Sequence, residues 1–338
     1  MIAKLLAVGL WILALTASAS AQVDAGDPAQ DAAPAAITAP AAPCGTQPIA
    51  IARMSWPSAE LLAEVHARIL AREFGCEVRV TPGDLVATAS SMGSTGQPAV
   101  APEMWVTRIA DVWNAAIAAQ MLRPATPTYI ESSFEGWFLP NYIAASHPEL
   151  TGADTLASAI PGLGATAPVR FISCPADWAC AVINRNLLAA FGLTDLVELV
   201  EPANRFEMDM LIAEAVSRSE PFFFYYWQPN AVLHQFNFQP LALGDFSPEA
   251  AKCLASVVCP APQPSAYPND TVVVALAEWV FTDIAEIAGY FGRSSLPSAE
   301  MNQMLAQLGE TGATVEAVAD LFVAERQDVW RAWVGTAP

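Results

Sequence analysis

The chain is poor in charge, and what charge it has is lopsided. Only 14% of its residues are Asp, Glu, Lys or Arg, and 34 acidic residues face 15 basic ones, for a formal charge of −19. A field of that sign disfavours nucleic acid and anionic membrane surfaces as partners, and no nucleic-acid partner is expected. Histidine is scarce too: His66, His147 and His234 are the only three. None stands at a ligand spacing from a cysteine, which argues against a zinc site. No G-x-S-x-G, Walker loop or H-E-x-x-H is present. GLGATA at 162–167 lacks the full dinucleotide fingerprint and reads as a loop. After residue 21 no stretch of about 20 residues is free of charges and turn formers, so no membrane span is expected in the mature chain. The expectations are no enzyme, no cofactor and no metal.

What is present begins with an export signal. Lys4 supplies a positive start, Leu5 to Leu15 are nearly all apolar, and Ala19-Ser20-Ala21 offers a small-x-small cleavage site. Residues 22–43 are rich in Ala and Pro with almost no bulky apolar side chains, and a disordered spacer is expected there. All six cysteines follow: 44, 76, 174, 180, 253 and 259. In an oxidising compartment an even count implies disulfides, although six cysteines allow about fifteen pairings. Proximity favours Cys174–Cys180 and Cys253–Cys259, which leaves Cys44–Cys76.

Strand and helix patterns alternate, which argues an α/β fold with two lobes. PIAIA (48–52) reads as a buried strand. The helix after it carries Leu61, Leu62, Val65, Ile69 and Leu70, with Ser58 as cap candidate and Gly75 as stop, and CEVRV (76–80) alternates like a second strand. TPGDL (81–85) reads as a turn, GSTGQP (93–98) as a loop, and VAPEMW (100–105) as the lead-in to a helix. PVRFISC (168–174) is a strand, PFFFYYW (221–227) a buried central strand, and TVVVAL (271–276) another. Asn204 is expected to cap one helix, and Ser298 and Thr314 two of those that fill the last 50 residues. His66 lies in the first amphipathic helix and reads as structural.

Tryptophan is the abundant oddity, ten in all with Trp11 in the signal. Trp113, Trp279, Trp330 and Trp333 fall on expected helices and read as core. Trp56, Trp178 and Trp227 follow or end expected strands, and ligands of open α/β sheets bind beyond the carboxyl ends of strands. Several indole faces around one small volume attract a cation, above all a quaternary ammonium with no N–H to satisfy.

APEMW, EGWFLPNYI, CPADWAC, EPFFFYYWQPN and SLPSAEMNQMLAQL together resemble the periplasmic glycine betaine and proline betaine-binding proteins of osmoprotectant ABC importers, over most of residues 47–335. The resemblance implies a two-lobed type II periplasmic-binding-protein fold with the ligand in the cleft. It implies lobe I over 44–140 and 268–338, lobe II over 141–267, and crossovers near 137–145 and 262–272. It implies an aromatic box of Trp105, Trp178 and Trp227, with the backbone N–H groups of Ala179 and Cys180 holding a ligand carboxylate, although relatives often carry Gly where Ala179 stands. The implied partners are a methylated-ammonium ligand and an inner-membrane permease, with the protein a periplasmic monomer. Trp56, Trp137, Glu131 and Glu135 are further candidate contacts. A pocket carboxylate from either glutamate would suit choline or trimethylamine N-oxide better than a betaine; the competing reading is a solvated loop acid. Dimethylsulfoniopropionate has similar shape and charge.

Overall fold

The computed structural model describes residues 43–131, 134–163 and 168–335. The expected signal at 1–21 and nearly all of the expected spacer, like residues 164–167 of the GLGATA loop, lie outside the described residues. Among the described residues, ten strands form two five-stranded sheets. In chain order they are β1 (Ile49–Met54), β2 (Val78–Gly83), β3 (Val100–Trp105), β4 (Leu122–Pro127), β5 (Glu135–Pro140), β6 (Val169–Ile172), β7 (Val197–Val200), β8 (Phe222–Trp227), β9 (Phe238–Leu241) and β10 (Val272–Ala277).

The first sheet runs β2-β1-β3-β10-β4, with β1 parallel to β2 and β3, and β10 antiparallel to β3 and β4. Its start is a β-α-β unit. Pro57 opens the helix Pro57–Phe74, whose fixed φ suits a first turn, and Gly75 closes it at φ 70°, a conformation costly for any residue with a Cβ. The five apolar residues named for this helix are all buried. Cys44–Cys76 ties the lead-in of β1 to that of β2. Along β10, Val272, Val274 and Leu276 join one apolar cluster while Val273 and Ala275 join another, as a strand covered on both faces requires.

The second sheet runs β7-β6-β8-β5-β9, with β6 parallel to β7 and β8, and β5 antiparallel to β8 and β9. Phe222 to Tyr226 of β8 are buried at its centre. The other two disulfides, Cys174–Cys180 and Cys253–Cys259, lie in this lobe.

Several local expectations shift. VAPEMW itself forms strand β3, recruited between β1 and β10, and the helix it was expected to lead into follows as Ala110–Ala118. Thr81, Pro82 and Gly83 extend β2, and a helix Leu85–Thr95 follows, capped by Asp84, whose side chain accepts from Ala87 N at 2.9 Å. Ser58 does not cap its helix; it lies inside, with Trp56 at the cap position. Asn204 and Thr314 do cap theirs. β5 belongs to the second sheet, so the first crossover precedes Glu135 and does not fall at 137–145 as expected. Pro140 ends a strand instead of marking the lobe boundary. On the return, Tyr267 packs in the second lobe and Val272 in the first.

Candidate functional site

The tryptophans at strand ends gather at the cleft. In the first lobe, β1 ends two residues before Trp56 and β3 ends on Trp105. Between them lies a fully buried acid, Glu103. Its Oε1 accepts from Trp56 Nε1 at 3.1 Å, Trp105 Nε1 at 2.9 Å and Ser58 Oγ at 3.1 Å. Burial pushes the Glu103 carboxyl above its usual range, and these three donors oppose that push. The buried Tyr129 hydroxyl lies beside Glu103 and joins these donors in opposing that push. The two are near enough for the acid's charge to help burial raise the phenol.

Just past Trp105, the Arg108 guanidinium sits over the Trp105 ring, 4.5 Å from its centroid. Its Nε and Nη2 donate to Asp270 Oδ2 at 2.9 and 2.8 Å.

In the second lobe, Trp227 ends β8 and stacks on Tyr226, with centroids 4.6 Å apart. Trp178 packs against Trp227 at 5.6 Å and is 36% exposed. The staple explains where Trp178 stands. Cys174 follows β6 by two residues and Cys180 is the second residue of the helix Ala179–Ala190, so the disulfide draws that helix start to the strand end. Trp178 holds the cap position, and the N–H groups of Ala179 and Cys180 have no carbonyl one turn earlier inside the helix. They lie at the positive end of the helix dipole, where an anion is favoured.

A cavity between the lobes is lined by Trp105, Arg108, Phe134, Glu135, Trp227, Gln228, Pro268 and Asp270, with about 10 Å³ of space, room for about one water. Glu135 stands directly across from Trp227 in the β5–β8 register and accepts from the Tyr225 hydroxyl at 2.5 Å. Burial raises its carboxyl; the Tyr225 hydrogen bond and the Arg108 charge lower it, and Asp270 raises it. A larger space of about 370 Å³ adjoins through Phe134 and Gln228; its walls combine phenylalanines with the amides of Gln228, Asn237 and Asn302 and hold no indole and no charged group.

Two of the candidate contacts lie elsewhere. Trp137 is fully buried in the core of the second lobe against Phe171 and Phe223, its Nε1 donating to Asn184 Oδ1 at 2.8 Å, so it is a packing residue. Glu131 caps a helix: its Oε2 accepts from Ser298 N at 2.7 Å at the start of Ser298–Leu308, and that bond lowers its carboxyl. Ser298 thus receives a cap rather than supplying one. His66 is buried with Nδ1 paired to the Tyr290 hydroxyl at 2.7 Å, and His234 is exposed on a short helix. Glu103, Arg108 and Asp270 were not singled out from sequence. A lone acid in the apolar run VAPEMW was the available signal for Glu103, since an acid amid buried strand residues needs partners.

A family model for the substrate-binding domain of ABC-type glycine betaine transport systems matches residues 47–325. The chain belongs to that family. This glycine betaine-type binding protein is therefore the solute-capturing component of an ABC importer and not an enzyme. Solved structures with the same fold include lactococcal OpuAC, in its closed-liganded conformation complexed with glycine betaine, at 14% identity over 86% of this chain and 100% of that one, TM-score 0.54. An ABC-transporter choline-binding protein in complex with choline matches at 14% identity over 85% of this chain and 91% of that one, TM-score 0.53. Apo YehZ from Escherichia coli matches at 13% identity over 84% and 100%, TM-score 0.58. A search of the curated proteins finds no match. Among the described residues, no group of three or more His, Cys, Asp or Glu is placed to hold a metal, and no helix is long and apolar enough to cross a membrane.

Proposed function

We propose that the protein captures a quaternary or fully methylated ammonium solute, glycine betaine foremost, in the periplasm and delivers it to an inner-membrane permease. The observation that carries this reading is the convergence of strand-end tryptophans from both lobes. Trp105 of β3 and Trp227 of β8 line one cavity, and Trp178 packs on Trp227. The three indoles would enclose the trimethylammonium head, each desolvated face contributing up to about 2 kcal/mol. The ligand carboxylate would take the N–H groups of Ala179 and Cys180, which the helix start leaves available. Only closure of the lobes brings both recognition parts onto one ligand, so binding favours the closed state that the permease receives. The protein acts as a monomer in this scheme. The fold-mates solved with glycine betaine and with choline agree with this ligand class.

Glu135 supports a second reading within the class. Its carboxylate lines the same cavity as Trp105 and Trp227 and suits a cation that brings no anion of its own, such as choline. Isothermal calorimetry with glycine betaine, proline betaine, choline, carnitine, trimethylamine N-oxide and dimethylsulfoniopropionate ranks the readings. Binding of none of the six below about 1 mM would refute both.

A further inference from the structure

We propose that Glu103 is a positioning residue for the ligand site: it fixes the Trp56 and Trp105 indoles as one wall and places its negative charge behind that wall. The proposal rests on reading the cleft as a cation site. An isolated buried carboxylate is expensive, and here its hydrogen bonds are not spread over the fold. Three donors converge on the single atom Oε1, and two of them are indole N–H groups at the ends of neighbouring strands. An indole flipped about its χ2 bond carries its N–H to the other side, so one shared acceptor selects one flip for each ring. Trp56 is thereby joined to Trp105 as a second, half-exposed face.

The electronic effect runs the same way. An indole N–H donating to an anion leaves more electron density on the ring face, and that density is what a cation meets. The Trp105 face already holds a cation, the Arg108 guanidinium at 4.5 Å. Glu103 therefore acts on the ligand through the two rings, without touching it.

The competing role is a plain anchor, in which Glu103 pins the helix Pro57–Phe74 to β3 through Ser58. Four variants separate the two: E103A, E103Q, S58A and W56F, each titrated with glycine betaine and with choline by calorimetry, with thermal midpoints recorded. Gln keeps an acceptor for the indole N–H groups and loses the charge. The expected result is about tenfold or greater weakening in E103A for whichever ligand the native protein binds, at least about threefold recovery in E103Q relative to E103A, and S58A within about twofold of native. W56F, which keeps a ring and removes the N–H, is expected to bind at least about threefold more weakly. Where E103A does not fold, E103Q and W56F decide, E103Q then being expected about threefold or more below native. Native-like binding in both, or a loss in S58A as large as in E103A or E103Q, overturns the proposal. A native protein that binds neither ligand overturns the reading of the cleft instead.

Discussion

Replacing Arg108 with alanine should tighten ligand binding. The guanidinium lies over the Trp105 face at 4.5 Å and the cavity beside it has about 10 Å³ to spare, so a trimethylammonium head reaches that face only after Arg108 leaves. A cation on an indole face is stabilised by about 0.5–2 kcal/mol. The Arg108–Asp270 ion pair adds little, because the arginine side chain is 53% exposed and water screens it. Taking about 1 kcal/mol as what the ligand must overcome, R108A returns about fivefold in affinity. The change also makes the cavity wall more negative, with Glu135 and Asp270 facing it and no guanidinium beside them. Choline, a net cation, should gain more than glycine betaine, whose carboxylate meets the same added repulsion. Calorimetry on native and R108A protein with both ligands reads the sign directly. A tenfold or greater loss for glycine betaine would refute the reasoning and make Arg108 a partner of the ligand carboxylate.

Trp178→Ala should weaken binding by about tenfold with the thermal midpoint little changed, since Trp178 is 36% exposed and packs on Trp227; unchanged calorimetric affinity would remove it from the box. Replacing Cys174 and Cys180 together with serine should cost about 2 kcal/mol of stability in denaturant titration, the entropy of closing a loop of about seven residues, and should weaken binding as well if the staple sets the helix start. A variant as stable as native and equal in affinity would show the staple idle. Burial pushes the His66 imidazole down to about 3. The unfolded chain protonates it near 6.5 and the folded chain does not, so the stability it contributes above 6.5 is lost as the pH falls toward 3, at about 1.4 kcal/mol per pH unit. His66→Gln should remove that slope, seen as converging melting curves of native and variant protein between pH 6.5 and 4.5; parallel curves would contradict it.

Much of the fold was readable because its signals are local. The helix at 57–74 has a five-residue apolar stripe and a glycine stop, and β8 and β10 are nearly unbroken apolar runs. β3 was not legible as a strand because VAPEMW carries a proline and an acid, and only its neighbours β1 and β10 make it one. That hid Glu103: without the strand phase, nothing linked it to Trp105 two residues on. Trp178 and Trp227 stood out by their stapled and strand-end positions, while Trp105 entered only through the family resemblance. Arg108 and Asp270 are 162 residues apart and meet only through the return crossover, a relation no spacing rule carries. Trp137 misled because aromatic residues near a crossover look alike whether they face the cleft or the core.

The pairing of Glu135 with Trp227 has a mechanical consequence. Glu135 is the first residue of β5, where the chain from the first lobe enters the second sheet, and its register partner ends β8 at the pocket wall. Pro268 and Asp270, on the strand of chain that returns, line the same small space. On the proposed reading of the cleft, the fulcrum between the lobes and the seat for the solute are built from the same few residues. A ligand so placed would press on the axle itself, with no linkage needed to carry its arrival to the moving parts.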